Sequence, residues 1–339
     1  MEHARGMEGR CLILQPIHLA GIEALRRAGL TMRTASSLDH EALREEIRDC
    51  RAVLTRNAAI TRPMIETAPA LEVIGVHGIG VDPIAVDFAA ERGIPVVNTP
   101  YANVRSVAEQ AIALTLHLAK AIGPADRAAR AGDFDFKYRA RLVEIEGLTF
   151  GVIGLGNIGR ATARLAKAVG FRVGAYSRGK PDEVFAAEGI ERFASVDALL
   201  QASDVVSLHL PARPGAPPLI GARELRLMKP TAFLINTARG ALVDEAALAE
   251  ALAAGHIAGA GLDVFAREPL LPDSPLCRLD NVVLTPHTAG STGAALKRTA
   301  IQLAEQVLAV LSGRRPDHLV DPQAWPRFVE RRARGEAKC

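Results

Sequence analysis

Short apolar runs alternate with stretches whose apolar residues recur every three or four positions. CLILQ is the first run, and HLAGIEALRRAG then carries apolar residues at helical spacing and stops at Gly29. After a charged helix, HEALREEIRDC, come the run RAVLTR, a Pro-started helix near TRPMIETA, the strand LEVIGVHG, the helix IAVDFAAERG and the strand PVVNT. A long helical stretch, VRSVAEQAIALTLHLAKAI, begins near Asn103 and ends near Gly123 and Pro124. A second alternation starts at LTFGVIG and passes through RVGAYS, DVVSLHL, TAFLINT, AGAGLDVF and NVVLTPH. Strands alternating with helices predict an α/β fold of parallel sheets with helices on both faces, and both halves fit a doubly wound plan. Six apolar strands in a block of about 140 residues match a complete dinucleotide-binding sheet. The amphipathic stretch TGAALKRTAIQLAEQVLAVLSG follows, leading to HLVDPQAWPRF. Residues 136–146 are too charged for core and read as an extended arm that could pair with another subunit, or as an ordinary surface loop.

Composition narrows the class. A chain of 339 residues, 49% hydrophobic and 23% charged, has apolar material for two domains and is not a disordered one. No run of about 18 uncharged apolar residues exists, so no membrane span is expected. The first residues lack a long apolar segment followed by small ones, so a secretory signal is not expected and the cytoplasm is. Lys plus Arg number 41 against 38 Asp plus Glu, dispersed apart from RFVERRARGEAK, and aromatics are only 4%; a nucleic-acid face is not expected. Cys11, Cys50, Cys277 and Cys339 are far apart and form no CxxC pair, which fits neither a disulfide framework nor a metal site.

The sharpest signal is GVIGLGNIGR, with Gly154, Gly156 and Gly159 in G-x-G-x-x-G spacing. It follows a strand and opens a helix, the context this motif requires. The first glycine permits the turn, the second lets backbone approach a pyrophosphate, and the third lets helix pack on strand. The alternative is a glycine-rich turn with no ligand. At the end of the next strand, Ser177 lies 18 residues after Gly159, in the slot where an acidic residue would accept the ribose hydroxyls of NAD. Arg178 and Lys180 follow. No carboxylate repels a 2′-phosphate there and two cations can receive one, so NADP(H) is favoured over NAD(H). Alternatively Arg178 stacks on adenine and either cofactor binds.

Three segments end strands of the same sheet: LINTARGALVDE, GLDVFAREP and VVLTPHTAGS. Ligands of open α/β sheets sit at the carboxyl ends of strands, so Arg239, Glu268 and His287 converge on one crevice. Singly, each has a bland reading: an ion-pair partner, a cap before Pro269, a loop histidine. With GVIGLGNIGR, NTARG followed by VDE, GLDVFxxEP and TPHTAG in order, the chain from about residue 10 to 325 resembles the D-isomer-specific 2-hydroxyacid dehydrogenase family.

That resemblance implies a Rossmann cofactor domain (103–291) inserted into a flavodoxin-like substrate domain (1–102 and 292–321), with residues 322–339 as a tail. It implies hinges near Asn103 and Ser291, closure that excludes water, and a homodimer. Arg239 would hold the carboxylate and 2-oxo oxygen of a small 2-oxo acid. His287 would protonate that oxygen, and Glu268 would favour the charged imidazole. Asp263 would bind the nicotinamide carboxamide. Asn157, Ile158, His209, Pro211, Thr237, Ala238 and Ala289 complete the expected cofactor set, His209 with a structural rather than catalytic part. Gly78 and Ile79, in VHGIGVDP, would grip the carboxylate opposite Arg239, unless the segment is only a turn. Arg56, in TRNAAIT, stands where phosphate-handling relatives carry an arginine, or is a solvated loop charge.

The reading is an NAD(P)-dependent D-2-hydroxyacid dehydrogenase resembling glyoxylate/hydroxypyruvate reductases. A short D-3-phosphoglycerate dehydrogenase, without room for a regulatory domain, is the second reading, and a dinucleotide-sensing corepressor the third. ARPGAPP after DVVSLHL, with Arg213, departs from the family pattern at the cofactor edge.

Overall fold

The computed structural model describes residues 8–213 and 215–335; Cys339 and the end of the basic segment lie outside them. The chain divides into two units. One runs to Asn103 and resumes at Ser291, and the other is Val104–Gly290.

The first unit holds five strands: β1 (Gly9–Ile13), β2 (Leu30–Thr34), β3 (Cys50–Thr55), β4 (Val73–Val76) and β5 (Val96–Val97). They lie in the order β2-β1-β3-β4-β5, every neighbour parallel. This 2-1-3-4-5 order is the flavodoxin-like one. Both faces are covered, so side chains alternate between two cores: Leu12 joins Leu43, Ile65 and Ile74, while Cys11 and Ile13 join Leu303, Val307 and Val310. Cys50 belongs to the first core and Cys11 to the second, so the sheet separates these two thiols.

The second unit holds β6 (Thr149–Ile153), β7 (Arg172–Tyr176), β8 (Glu191–Arg192), β9 (Val205–Leu208), β10 (Phe233–Asn236), β11 (Gly259–Leu262) and β12 (Val282–Leu284). Their order is β12-β11-β10-β9-β6-β7-β8, again all parallel. Counted within the unit this is 3-2-1-4-5-6 with a seventh strand added, and the order reverses between β6 and β9. The central strands are buried throughout, as continuous apolar runs in a two-faced parallel sheet must be. Among the described residues no helix is long and apolar enough to cross a membrane.

Four segments depart from the sequence reading. β2, LTMRT, is an edge strand with mostly exposed residues, so it lacks an apolar run. β8 is a two-residue edge strand, exposed at both positions. Residues beyond Asp321, expected as a tail, form the helix Ala324–Ala333, which buries Phe328 and Arg331; Arg331 donates to the carbonyls of Leu71 and Pro69 at 2.7 and 2.6 Å. The charged segment 136–146 is one short helical turn, Phe136–Arg139, followed by extended chain whose Val143 and Ile145 pack on the core of the second unit. Val143 N–H donates to Ala119 O at 2.8 Å, so charges there flank an apolar alternation that anchors the chain.

Candidate active site

β6 leads straight into the glycine turn. Gly154 has φ +101°, and a Cβ there would stand 2.5 Å from the carbonyl oxygen of His209, the residue that follows β9. A Cβ on Gly159 would stand 2.0 Å from the Gly154 oxygen. Both glycines are therefore demanded by close backbone approach at the point where the strand order reverses. Gly156 differs, because a Cβ there meets nothing within 4 Å. It opens room beside the loop. The helix Asn157–Ala168 that follows has no side-chain cap, so Asn157 and Ile158 sit in an uncapped first turn that presents N–H groups to an anion.

At the end of β7, Ser177 is half-buried and Arg178 and Lys180 are exposed. Among the described residues neither cation has a hydrogen-bond or ion-pair partner. Arg213 is exposed, next to a residue outside the described set. His209, after β9, accepts from or donates to Ser207 Oγ at 2.9 Å, and burial pushes its imidazole down to about 4. A neutral ring tied to its own strand suits a structural part. Pro211 follows it on the exposed surface.

β10 ends in Asn236, whose side chain knots the next turn: Nδ2 donates to Arg239 O at 2.8 Å and Oδ1 accepts from Ala238 N–H at 3.0 Å. Arg239 Nη1 donates to Ala238 O at 2.6 Å. Beside them Thr237 is buried and its hydroxyl has no partner. An orphaned hydroxyl, an uncapped helix and an open glycine at the carboxyl edge of one sheet fit a dinucleotide.

Two loops then build a dyad. His287 follows β12 with φ +52°, an uncommon conformation for a side-chain-bearing residue, and its Nδ1 stands 2.8 Å from Glu268 Oε2. Glu268 Oε1 accepts from Phe265 N–H at 3.1 Å, which orients the carboxylate. Burial alone would raise the Glu268 carboxyl; the His287 hydrogen bond and charge, the Phe265 N–H and the Arg239 charge outweigh it and hold it below the ordinary glutamate range. The dyad remains open to solvent, with 44% of the His287 and 31% of the Glu268 side chain exposed. An accessible imidazole backed by an ionised carboxylate can exchange a proton, and Arg239 brings a positive charge to the same place.

Asp263 anchors the loop that carries His287. It is 0% exposed. Oδ1 accepts from Thr285 Oγ1 at 2.5 Å, Thr288 N–H at 2.9 Å and Thr288 Oγ1 at 3.3 Å, and Oδ2 from Ala289 N–H at 2.9 Å. The Asp263 carbonyl also accepts from His287 N–H at 2.8 Å. These bonds fix the His287 loop. Ser106 and Gln110, on the helix Val104–Ala119, support the same loop by donating to Ala289 O at 2.5 Å and Thr285 Oγ1 at 3.2 Å. Sequence reading missed Asn236, Thr285, Thr288, Ser106 and Gln110. Only the threonines flanking Pro286 and His287 carried a visible signal.

In the first unit, Gly78 has φ +140° and lies after β4. Its N–H is engaged by Val76 O at 3.0 Å and Thr99 Oγ1 at 3.1 Å, so it is not an open donor as expected; Ile79 is held through its carbonyl by Asn98 Nδ2 at 2.9 Å. Arg56 follows β3 and donates to Ser291 Oγ at 3.1 Å.

Residues 112–289 match the family model described as "D-isomer specific 2-hydroxyacid dehydrogenase, NAD binding domain". The chain is 40% identical over 313 residues to D-3-phosphoglycerate dehydrogenase of Methanocaldococcus jannaschii, covering 92% of this chain and 59% of that one. It thus spans about three fifths of the length of that relative, and 58% of the Archaeoglobus fulgidus enzyme of the same name. Glyoxylate reductase of Korarchaeum cryptofilum is 38% identical over 283 residues, covering 82% of this chain and 85% of that one. Among solved structures, an NADPH-dependent glyoxylate/hydroxypyruvate reductase from Sinorhizobium meliloti in complex with NADP and malonate superposes with a TM-score of 0.83 at 29% identity, over 94% of this chain and 98% of that one. Sequence and fold agree, and the chain belongs to the D-isomer-specific 2-hydroxyacid dehydrogenase family.

Proposed function

We propose that the protein is an NAD(P)-dependent reductase of small 2-oxo acids, glyoxylate or hydroxypyruvate in particular, giving D-2-hydroxy acids in the cytoplasm. The observation that carries this is the solvent-open His287–Glu268 dyad at 2.8 Å on the carboxyl edge of a dinucleotide-binding sheet. A nicotinamide cofactor, when bound, supplies or takes the hydride. Arg239 binds the substrate carboxylate and polarises the 2-oxo oxygen through its planar donors. His287 Nε2 gives a proton to that oxygen, while its Nδ1 stays on Glu268; in the oxidative direction Nε2 takes the proton back. Ionised Glu268 favours the charged ring that this step needs.

Gly154, Gly156, Asn157, Ile158 and Gly159 hold the pyrophosphate, and Thr237, Ala238 and Ala289 line the nicotinamide end. Ser177, Arg178 and Lys180 favour NADP(H), supported by two exposed cations that no carboxylate among the described residues pairs with. The exposed Phe134, Tyr138 and Leu142 beside the anchored 143–145 segment support a homodimer. Arg56 favours the second reading, a D-3-phosphoglycerate dehydrogenase, because among the described residues no carboxylate pairs with it.

The test is initial-rate oxidation of NADPH and NADH with glyoxylate, hydroxypyruvate, phosphohydroxypyruvate and pyruvate. NADPH turnover on the small oxo acids is the expected result. An NADH preference peaking on the phosphorylated substrate moves the protein to the second reading, and no turnover with any of them contradicts both.

A further inference from the structure

Glu245 closes the VDE triplet that follows NTARG and opens the helix Glu245–Ala253. Asp244 caps that helix, accepting from the N–H groups of Ala246 and Ala247 at 3.1 Å each. The Glu245 carboxylate serves another loop: its Oε1 accepts from Ala266 N–H at 2.6 Å. Ala266 follows β11 and stands two residues before Glu268. A carboxylate on a backbone N–H makes a charge-assisted bond, stronger than a neutral one.

A second contact meets the same peptide group. Gly240, next to Arg239, packs directly on it: a Cβ there would stand 1.8 Å from the Phe265 carbonyl carbon, 2.1 Å from its oxygen and 2.2 Å from Ala266 N. The Phe265–Ala266 peptide is thus held between the Arg239 turn and the first turn of the helix. Phe265 N–H in turn donates to Glu268 Oε1 at 3.1 Å, and Glu268 Oε2 stands 2.8 Å from His287 Nδ1. The Phe265 ring is buried in the core, whereas residues 266–269 are exposed. Packing therefore ends at Phe265, and hydrogen bonds must hold the stretch that carries Glu268.

We propose that Glu245 is a positioning residue for the proton transfer: it holds the Phe265–Ala266 peptide against Gly240, and that peptide sets the Glu268 carboxylate behind His287. This rests on the reductase reading above, whose proton step it supports.

Glu245→Gln keeps an oxygen that can accept from Ala266 N–H, and Glu245→Ala removes it. The Asp244 cap is intact in both, so both fold. With NADPH and glyoxylate, Glu245→Ala should lose about tenfold in kcat, a part of the about hundredfold that a 1 Å misplacement brings. The KM for glyoxylate should move little, because Asn236 still holds the Arg239 turn. Glu245→Gln should stay near the wild type. Since Glu245 acts through Glu268, the two losses should not add: in the Glu268→Gln background, Glu245→Ala should lower kcat no further. The same loss in that background, a Glu245→Gln as slow as Glu245→Ala, or wild-type kcat in Glu245→Ala each overturns the proposal. Amide hydrogen exchange gives a readout that needs no turnover. The Phe265 N–H, whose acceptor is Glu268, should exchange faster in Glu245→Ala than in the wild type and at the wild-type rate in Glu245→Gln. If the wild type turns over no oxo acid yet this exchange pattern is found, the reductase reading fails and the positioning stands. Unchanged Phe265 exchange in Glu245→Ala overturns the positioning.

Discussion

Replacing Asp263 by asparagine keeps the side chain's shape and removes its charge and one acceptor. Four donors converge on this carboxylate, three on Oδ1 and the Ala289 N–H on Oδ2. If the amide oxygen takes the Oδ1 position, the new NH2 group faces the Ala289 N–H, leaving a buried donor opposed to a donor. Losing that charge-assisted bond and weakening the other three to neutral ones should together cost about 3 kcal/mol. Stabilities of about 5–15 kcal/mol absorb such a loss, so the variant folds. The same donors hold residues 285–289, and a displacement of His287 by about 1 Å should lower kcat about a hundredfold. The assay pairs urea unfolding of the second unit with steady-state kinetics. Thr285→Ser, which keeps the hydroxyl donor, should stay near the wild type in both. Wild-type stability and kcat in Asp263→Asn would refute the argument that this carboxylate sets the loop. Unchanged stability with lost activity would instead place Asp263 in the chemistry itself.

Arg239→Lys should raise KM and lower kcat together, because an ammonium cannot span the carboxylate and the oxo oxygen in one plane; unaltered kinetics would remove Arg239 from the site. Ser177→Asp with Arg178→Ala should move the ratio of kcat/KM values towards NADH, and an unmoved ratio would place discrimination elsewhere, for instance at Arg213. Glu268 binds its proton less tightly folded than unfolded, so the dyad's contribution to stability is present above the ordinary glutamate value of about 4.3 and is lost as pH falls through the lower folded value. In Glu268→Gln that acid-side dependence should vanish, and kcat should fall because the imidazole has lost the carboxylate that orients it; an unchanged acid-side stability profile and kcat would contradict the dyad.

Much of both sheets was legible because their strands are buried on both faces and therefore read as unbroken apolar runs. β2 and β8 were not, since an edge strand with exposed residues lacks that signature. Glycine spacing located the phosphate loop, yet it could not tell Gly154 and Gly159, which backbone contact demands, from Gly156, which leaves space. The motifs named Arg239, Glu268 and His287; the side chains that hold them were hidden. Asn236 acts through bonds to the backbone of its own turn, and Ser106 and Gln110 through bonds to Ala289 O and Thr285 Oγ1 far along the chain; such bonds leave no pattern in the sequence. Asp263 was visible as a residue, but its part in holding the His287 loop was not, because burial and four converging donors are three-dimensional facts. The segment 136–146 misled through its charges, which masked the inward pair Val143 and Ile145.

The most direct test of the central claim is the rate of NADPH-linked glyoxylate and hydroxypyruvate reduction by the wild type and by His287→Ala. Turnover by the wild type, falling about a hundredfold or more in the variant while cofactor affinity is retained, is the predicted result. Equal rates for the two proteins would contradict it.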